Sequence, residues 1–194
     1  MTACYTEHMT DLKRITPDKI LWVDLEMTGL NPAKDRILEV AAIVTDWDFK
    51  EIDRFERGVG HEPAALKLLM DVNPWSIDHA ELTKTLLEQS SKSQPEEFVQ
   101  AKFEEFINKH FEADEPALLA GNSIHMDRRF IRHWWPNVEK RLHYRMLDVS
   151  AWKVVMIGKY GIEYEKLEKH RALDDIRESI DELEFYITKM NASL

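Results

Sequence analysis

The sequence predicts a single α/β domain in which a mixed sheet is flanked by helices. Three observations carry this. The chain has 194 residues, long enough for one sizeable core and short for two. Its first half offers three strand-like stretches in succession, as antiparallel neighbours joined by short turns would. Its second half alternates short apolar runs with amphipathic helical periods, the pattern of strands packed under helices.

The elements follow in order. Residues 1–17 keep neither period and are expected to form a loose extension, leaving 18–194 as the domain. "ILWVDLE" (20–26), "RILEVAAIVTD" (36–46) and "EIDRFERGV" (51–59) read as strands, with "WDF" in the connection between the last two. A helical region follows, with Pro74 opening a turn. "PEEFVQAKFEEFINKHF" (95–111) reads as a helix with Pro95 near its first turn, its apolar side formed by Phe98, Ala101, Phe103, Phe106 and Ile107. "PALLAGN" (116–122) is a short apolar run stopped by Gly-Asn and reads as a buried strand. A helix over about 125–135, a strand at "YRMLDVS" (144–150), a helix from about 150 and a last helix over about 171–190 complete the chain. No internal repeat or low-complexity linker interrupts it.

Composition bounds the function. With 44% hydrophobic and 32% charged residues the chain resembles an ordinary globular protein. No apolar run reaches transmembrane length, and the start lacks the basic-then-apolar pattern of a secretory signal. The lone Cys4 excludes an intrachain disulfide framework and fits the reducing cytoplasm, the expected location. A net charge of −10 argues against a long duplex partner, though not against a very short nucleic acid with few phosphates to neutralise. "DRRFIRHWW" (127–135) and "KRLHYR" (140–145) concentrate cations and aromatics in one stretch.

Several acids stand where a core is expected. Asp24 and Glu26 interrupt the first strand one residue apart, so both project from the same face. Asp127 shares the helical stripe of Phe130, Ile131 and Trp134, where a lone carboxylate is costly. The last helix carries its stripe on Leu173, Ile176, Ile180, Leu183 and Ile187, with "HRALDD" setting His170, Asp174 and Asp175 near its start. Taken singly, an acid at a helix start is more often a cap than a ligand, and one Asp-x-Glu is a weak signal. Asp148 reads as a structural acid or cap, and Asp35, Asp46 and Asp48 as turn acids. Taken together, Asp24, Glu26, Asp127 and one of Asp174 or Asp175 form a set of hard oxygen donors suited to Mg²⁺ or Mn²⁺. Two divalent ions would neutralise four carboxylates and hold both the attacking and the leaving oxygen of a phosphoryl displacement. His170 has a pKa suited to taking a proton from water near neutrality.

The stretches "DLEMTGL", "AGNSIHMDRRF", "HYRMLDVS" and "HRALDDIRES" closely resemble the motifs of the oligoribonuclease family. These are DEDDh 3′→5′ exonucleases with a ribonuclease H-like fold. The resemblance spans about residues 20–187, with all four motifs in the family's order. It implies metal binding by Asp24, Glu26, Asp127 and Asp175 and a general base at His170. Helical spacing alone would instead pair His170 with Asp174. It further implies that Leu30 and Trp75 wedge against bases; the plainer reading of Trp75 is a core aromatic. Ser123, Arg145 and Ser150 are implied to cap a 5′-phosphate, with Tyr144 and Arg145 reaching in from the second subunit of a homodimer. An Arg suits that role because its planar fork grips phosphate through two hydrogen bonds. The chain departs from the pattern in three places. "MDVNPWS" is two residues longer before Trp75, Ala151 stands where a Thr is common, and the segment 156–169 lacks an Arg-rich stretch, leaving Lys159 and Tyr160 there.

The implied activity is hydrolysis of short RNA oligonucleotides, chiefly dinucleotides, to 5′-mononucleotides. A broader RNA and DNA exonuclease resembling ribonuclease T would be expected to show a more basic track for long strands. A non-catalytic nucleic-acid binding module would be expected to lack one of the five catalytic groups, and all five are present. A metal-dependent phosphatase would need no base wedge.

Overall fold

The computed structural model describes residues 17–165 and 172–191, and of Trp75 the backbone alone. His170 and nearly all of the expected N-terminal extension lie outside the described residues.

Strand β1 (Ile20–Met27) is the hub of a six-stranded sheet. It pairs antiparallel with β2 (Ile37–Thr45), which pairs antiparallel with β3 (Glu51–Gly60). On its other side β1 runs parallel to β5 (Ala117–Gly121), which runs parallel to β6 (Leu142–Asp148). A two-residue β4 (Gln94–Pro95) completes the order β4-β3-β2-β1-β5-β6, so β6 is an edge strand. The expected mixed sheet with helices on its faces is the arrangement found. The β2–β3 connection holds "WDF" as the sequence predicts, with Asp46 accepting the amides of Asp48 and Lys50 at 3.0 Å each.

Both faces of β1 are covered, which explains its unbroken apolar start. Leu21, Val23 and Leu25 pack with Val40, Ala42 and Val44 of β2 against helix α4 (Glu96–His110) and helix α5 (His125–Trp134). Ile20 and Trp22 pack with Ala41 and Ile43 against Ile176, Ile180 and Leu183 of the last helix, α8 (Ala172–Asn191). Burying side chains of this size stabilises each by roughly 1.5–3 kcal/mol. Between β3 and α4, helices α1 (Pro63–Asp71), α2 (Pro74–Asp78) and α3 (Ala80–Lys92) give shape to what the sequence shows only as a helical region. Leu66 and Met70 of α1 and Leu86 of α3 close over Leu38.

Two expectations are corrected. The buried stripe of α4 is Val99, Phe103, Phe106 and Ile107, whereas Phe98 is 43% exposed and Ala101 also faces solvent. The stripe advances by four and then three residues from Val99, and Phe98 lies one position off it on the face of Lys102, whose ammonium sits 5.7 Å from its ring. The strand expected over 144–150 is shifted two residues earlier. Asp148 caps helix α7 (Val149–Val155) by accepting the Ser150 amide at 3.0 Å, which turns the chain into a helix. A four-residue α6 (Pro136–Glu139) links α5 to β6, and a π-helical turn (Met156–Tyr160) follows α7. Among the described residues no helix is long and apolar enough to cross a membrane.

Candidate active site

The alternation that buries Ile20 and Trp22 under α8 carries Asp24 and Glu26 onto the same face, where β1 ends. The first turn of α8 lies over that point. A carboxylate oxygen of each of Asp24, Glu26 and Asp175 falls within 4.8 Å of the others, and all three residues are half-buried. Asp174, its neighbour, turns outward to Arg177 at 3.4 Å. Of the two candidates on α8, the structure brings Asp175 to the β1 acids.

Asp127 reaches the same place from the opposite layer. It stands in the first turn of α5 at 5% exposure, on the stripe of Phe130 and Ile131, and accepts the amide of Leu25 at 3.0 Å. That amide lies between Asp24 and Glu26 in the chain. Burial pushes the Asp127 carboxyl up to about 7, the Leu25 N–H opposes this, and the charges of Glu26 and Asp148 add to it. A cation beside it would favour its ionised form. Asp24, Glu26 and Asp175 offer oxygen donors alone within reach of one another, and a hard divalent ion fits them, with Asp127 beside them across the Leu25 amide.

Beside the acids, Leu25, Glu26, Met27, Gly29, Leu30 and Asn73 line a cavity of about 280 Å³. Leu30, 70% exposed, stands at its rim. The turn that carries it is fixed by Asp35, which accepts from the Thr28 hydroxyl at 3.1 Å and the Asn31 amide at 2.8 Å. A Cβ at Gly29 would lie 2.6 Å from the Asp35 carboxylate, so a side chain there would push Asp35 off these partners. Trp134 donates its indole N–H to the Asp35 carbonyl at 3.0 Å, and Arg36 covers the Trp134 ring at 3.9 Å. The side chain of Trp75 lies outside the described residues, although Asn73, just before its helix, donates to the Thr28 carbonyl.

Ser123 and Ser150 meet at the C-terminal ends of β5 and β6. The Ser123 amide donates to Ser150 Oγ at 2.9 Å and to Asp148 at 3.1 Å, and the two hydroxyls lie 3.1 Å apart. Ser123 has φ of +49°, a left-handed conformation that a non-glycine residue adopts at a cost of roughly 1–3 kcal/mol. Tyr144 (72% exposed) and Arg145 stand on the free edge of β6, the guanidinium 5.1 Å from the Tyr144 ring. Beneath them the buried Arg128 donates to the His143 carbonyl at 2.8 Å and pairs with Glu139 at 3.1 Å. The Arg145 amide donates to His143 Nδ1, whose ring burial and neighbouring arginines hold below the ordinary imidazole range. Lys159 and Tyr160 lie together on the π-helical turn.

Sequence reasoning missed Asn73, Asn122, Arg128 and Glu182 as supports of these groups. Asn122 had read only as a strand stop. The one available signal was Glu182, which falls beside Leu183 on the buried side of α8.

A mixed sheet whose central strand ends in paired acids, joined by an acid from each of two helices, defines a metal-dependent hydrolase of phosphate esters. The exonuclease family typified by ribonuclease T matches residues 21–183. Oligoribonuclease of Francisella tularensis subsp. tularensis is 42% identical over 177 residues, covering 89% of this chain and 96% of that one. The mitochondrial oligoribonuclease of Bos taurus is 39% identical over 177 residues, covering 87% and 71%. Among solved structures, a zinc-bound complex of Escherichia coli exonuclease I with single-stranded DNA superposes with a TM-score of 0.61 at 17% identity, over 90% of this chain and 41% of that one. Exonuclease I of Methylocaldum szegediense gives 0.55 at 20% identity, over 84% and 39%. This chain thus spans about two-fifths of those structures, which share its ribonuclease H-like fold. The chain belongs to the oligoribonuclease family of exonucleases.

Proposed function

We propose that this exonuclease hydrolyses short RNA from the 3′ end, with dinucleotides as its chief substrates and 5′-mononucleotides as products. The observation that carries the reading is the convergence of Asp24, Glu26 and Asp175 within 4.8 Å, with Asp127 tied between the first two through the Leu25 amide. These four side chains would hold two Mg²⁺ or Mn²⁺ ions. When bound, the ions neutralise the carboxylates and stabilise negative charge developing on the phosphate.

The chain's own groups do the rest. His170 takes a proton from the water that attacks phosphorus, and the bond from phosphorus to the preceding 3′-oxygen breaks. Leu30 and Trp75 wedge against the bases, a sequence-tolerant contact because every base has an apolar face. Ser123 and Ser150 cap the 5′-phosphate on the side of the exposed Ser123 hydroxyl, and the strained backbone at Ser123 supports that role. Tyr144 and Arg145 close the pocket of a second copy in a homodimer. Their exposure on the edge strand β6 supports this, because a two-fold interface uses one patch twice. The reducing cytoplasm is the proposed location.

The test is a labelled dinucleotide, a 20-mer and a chromogenic phosphate monoester assayed in Mg²⁺ with and without EDTA. EDTA-sensitive cleavage of the dinucleotide well above that of the 20-mer is expected. Equal rates on both RNAs would point to a broader exonuclease, and cleavage of the monoester alone to a phosphatase.

A further inference from the structure

Glu182 is 0% exposed in the middle of α8, and the proposed chemistry makes no use of it. Its carboxylate accepts the Tyr186 hydroxyl at 2.8 Å on one oxygen and the Asn122 amide at 3.1 Å on the other. The second N–H of Asn122 goes to Ser179 Oγ at 2.8 Å, and Ser179 donates in turn to the backbone carbonyl of Asp175 at 2.8 Å. With its amino group held on that side, Asn122 has only its oxygen to offer toward the surface. That oxygen accepts the Ser150 hydroxyl at 3.1 Å, and Ser150 Oγ accepts the amide of Ser123. An unbroken chain of hydrogen bonds therefore runs from the core side of α8 to Ser123, the exposed residue held at positive φ.

We infer that Glu182 is a positioning residue for the 5′-phosphate pocket, acting through Asn122 and Ser150 to hold Ser123 in its left-handed conformation with its side chain at the surface. The inference rests on the reading of Ser123 and Ser150 as the phosphate-binding groups. A carboxylate suits the task because it only accepts, so the orientation of the Asn122 amide is fixed. A buried network acts this way only when each member has its partner.

The readout is the ratio of kcat/KM for a 5′-phosphorylated dinucleotide to that for its 5′-hydroxyl counterpart, in Mg²⁺. In Glu182→Leu, which fills the space but cannot accept, the ratio should fall roughly tenfold or more, because small misplacement of a binding group has effects of this size. Cleavage of the 5′-hydroxyl substrate should stay near the wild-type level. Glu182→Gln keeps an oxygen for Asn122 and should restore most of the ratio. Should the Tyr186 hydroxyl, orphaned in Glu182→Leu, prevent folding, Glu182→Leu with Tyr186→Phe removes both partners and should show the same loss. In wild-type protein, a 5′-phosphorylated dinucleotide with a phosphorothioate linkage should shift the Asn122 side-chain amide resonances, and its 5′-hydroxyl counterpart should not. An unchanged ratio in the Leu variants, equal losses on both substrates, or no such difference in the spectra overturns the inference. Ser123→Ala separates the two layers. If it abolishes the ratio while the Leu variants leave it intact, the pocket reading stands and the role of Glu182 falls. If Ser123→Ala leaves the ratio intact, both fall.

Discussion

The two ends of the proposed substrate path are built in opposite ways. At the acidic end, like charges are packed onto β1, α5 and α8, where burial already raises the Asp127 carboxyl to about 7. At the Ser123–Ser150 end, neutral hydroxyls and amides satisfy one another, and the nearest cation in the motif, Arg145, stands exposed on an edge strand. The first end gathers like charge that, on our reading, divalent cations neutralise. The second is complete in its hydrogen bonds and, on our reading, incomplete in shape until a second subunit arrives. Binding at each end therefore depends on a different missing partner, and changes at each should fail differently.

The largest effect belongs to the acids. Replacing Asp24, Glu26, Asp127 or Asp175 with Ala should remove turnover in Mg²⁺ while leaving the far-UV spectrum unchanged, and EDTA should do the same to the wild type reversibly. Normal turnover in Asp127→Ala would take that residue out of the site and remove the contrast at its root. Next comes His170→Ala, which should lower kcat by roughly 10²–10⁴-fold with metal binding kept. The acidic limb of the wild-type pH–rate profile should vanish in this variant, and its persistence would assign the proton to another group.

A third effect is thermodynamic and confined to the acidic end. The folded protein without metal raises Asp127 from the ordinary 3.8 to about 7. Between those values the native state holds a proton that the unfolded chain releases, so stability falls as pH rises from about 4 to 7 and levels off above. The fall is on the order of a few kcal/mol. Thermal melts in EDTA should show wild type losing stability across this window relative to Asp127→Asn, and Mg²⁺ should reduce the difference. A difference of opposite sign would mean that Asp127 is held ionised without metal.

The same contrast explains what the sequence made legible. Asp24, Glu26 and Asp127 could be singled out because a carboxylate breaks an apolar period, and period is what a sequence displays. Asp175 could not be told from Asp174 by spacing. The choice appears only when α8 is laid over β1 and Asp174 turns to Arg177. The fold class and the strand order of the first half follow from alternation and turn residues; in α4 the expected Phe103, Phe106 and Ile107 are buried, whereas Val99 takes the place expected of Phe98, which looks buried by residue type. Ser123, Ser150 and Asn122 carry no such anomaly. They are ordinary turn and cap residues until Asn122, the residue after β5 ends, is seen to face Glu182 across the fold. Polar networks between distant segments have no period, so only the folded structure assembles them.

The smallest of these effects tests the far end. If Arg145 from the partner closes over the 5′-phosphate, a ligand must span from the acids to that cation, and a dinucleotide has the length to do so. Longer strands must forgo the cap. A charge-assisted phosphate contact is worth roughly 1.5–3 kcal/mol, enough for about a hundredfold preference. Arg145→Ala should therefore reduce dinucleotide cleavage about a hundredfold while changing cleavage of a longer oligomer little. Mixing Arg145→Ala subunits with Asp24→Ala subunits should restore part of the activity, since half of the composite sites in a heterodimer would then have both intact acids and an intact Arg145. Arg128, which holds the His143 carbonyl beneath this strand, gives an internal control: Arg128→Met should weaken the same preference without touching the acids. Equal losses on both substrate lengths, or full activity in a monomer, would show that the two ends are completed within one chain and that the contrast between them is only one of charge.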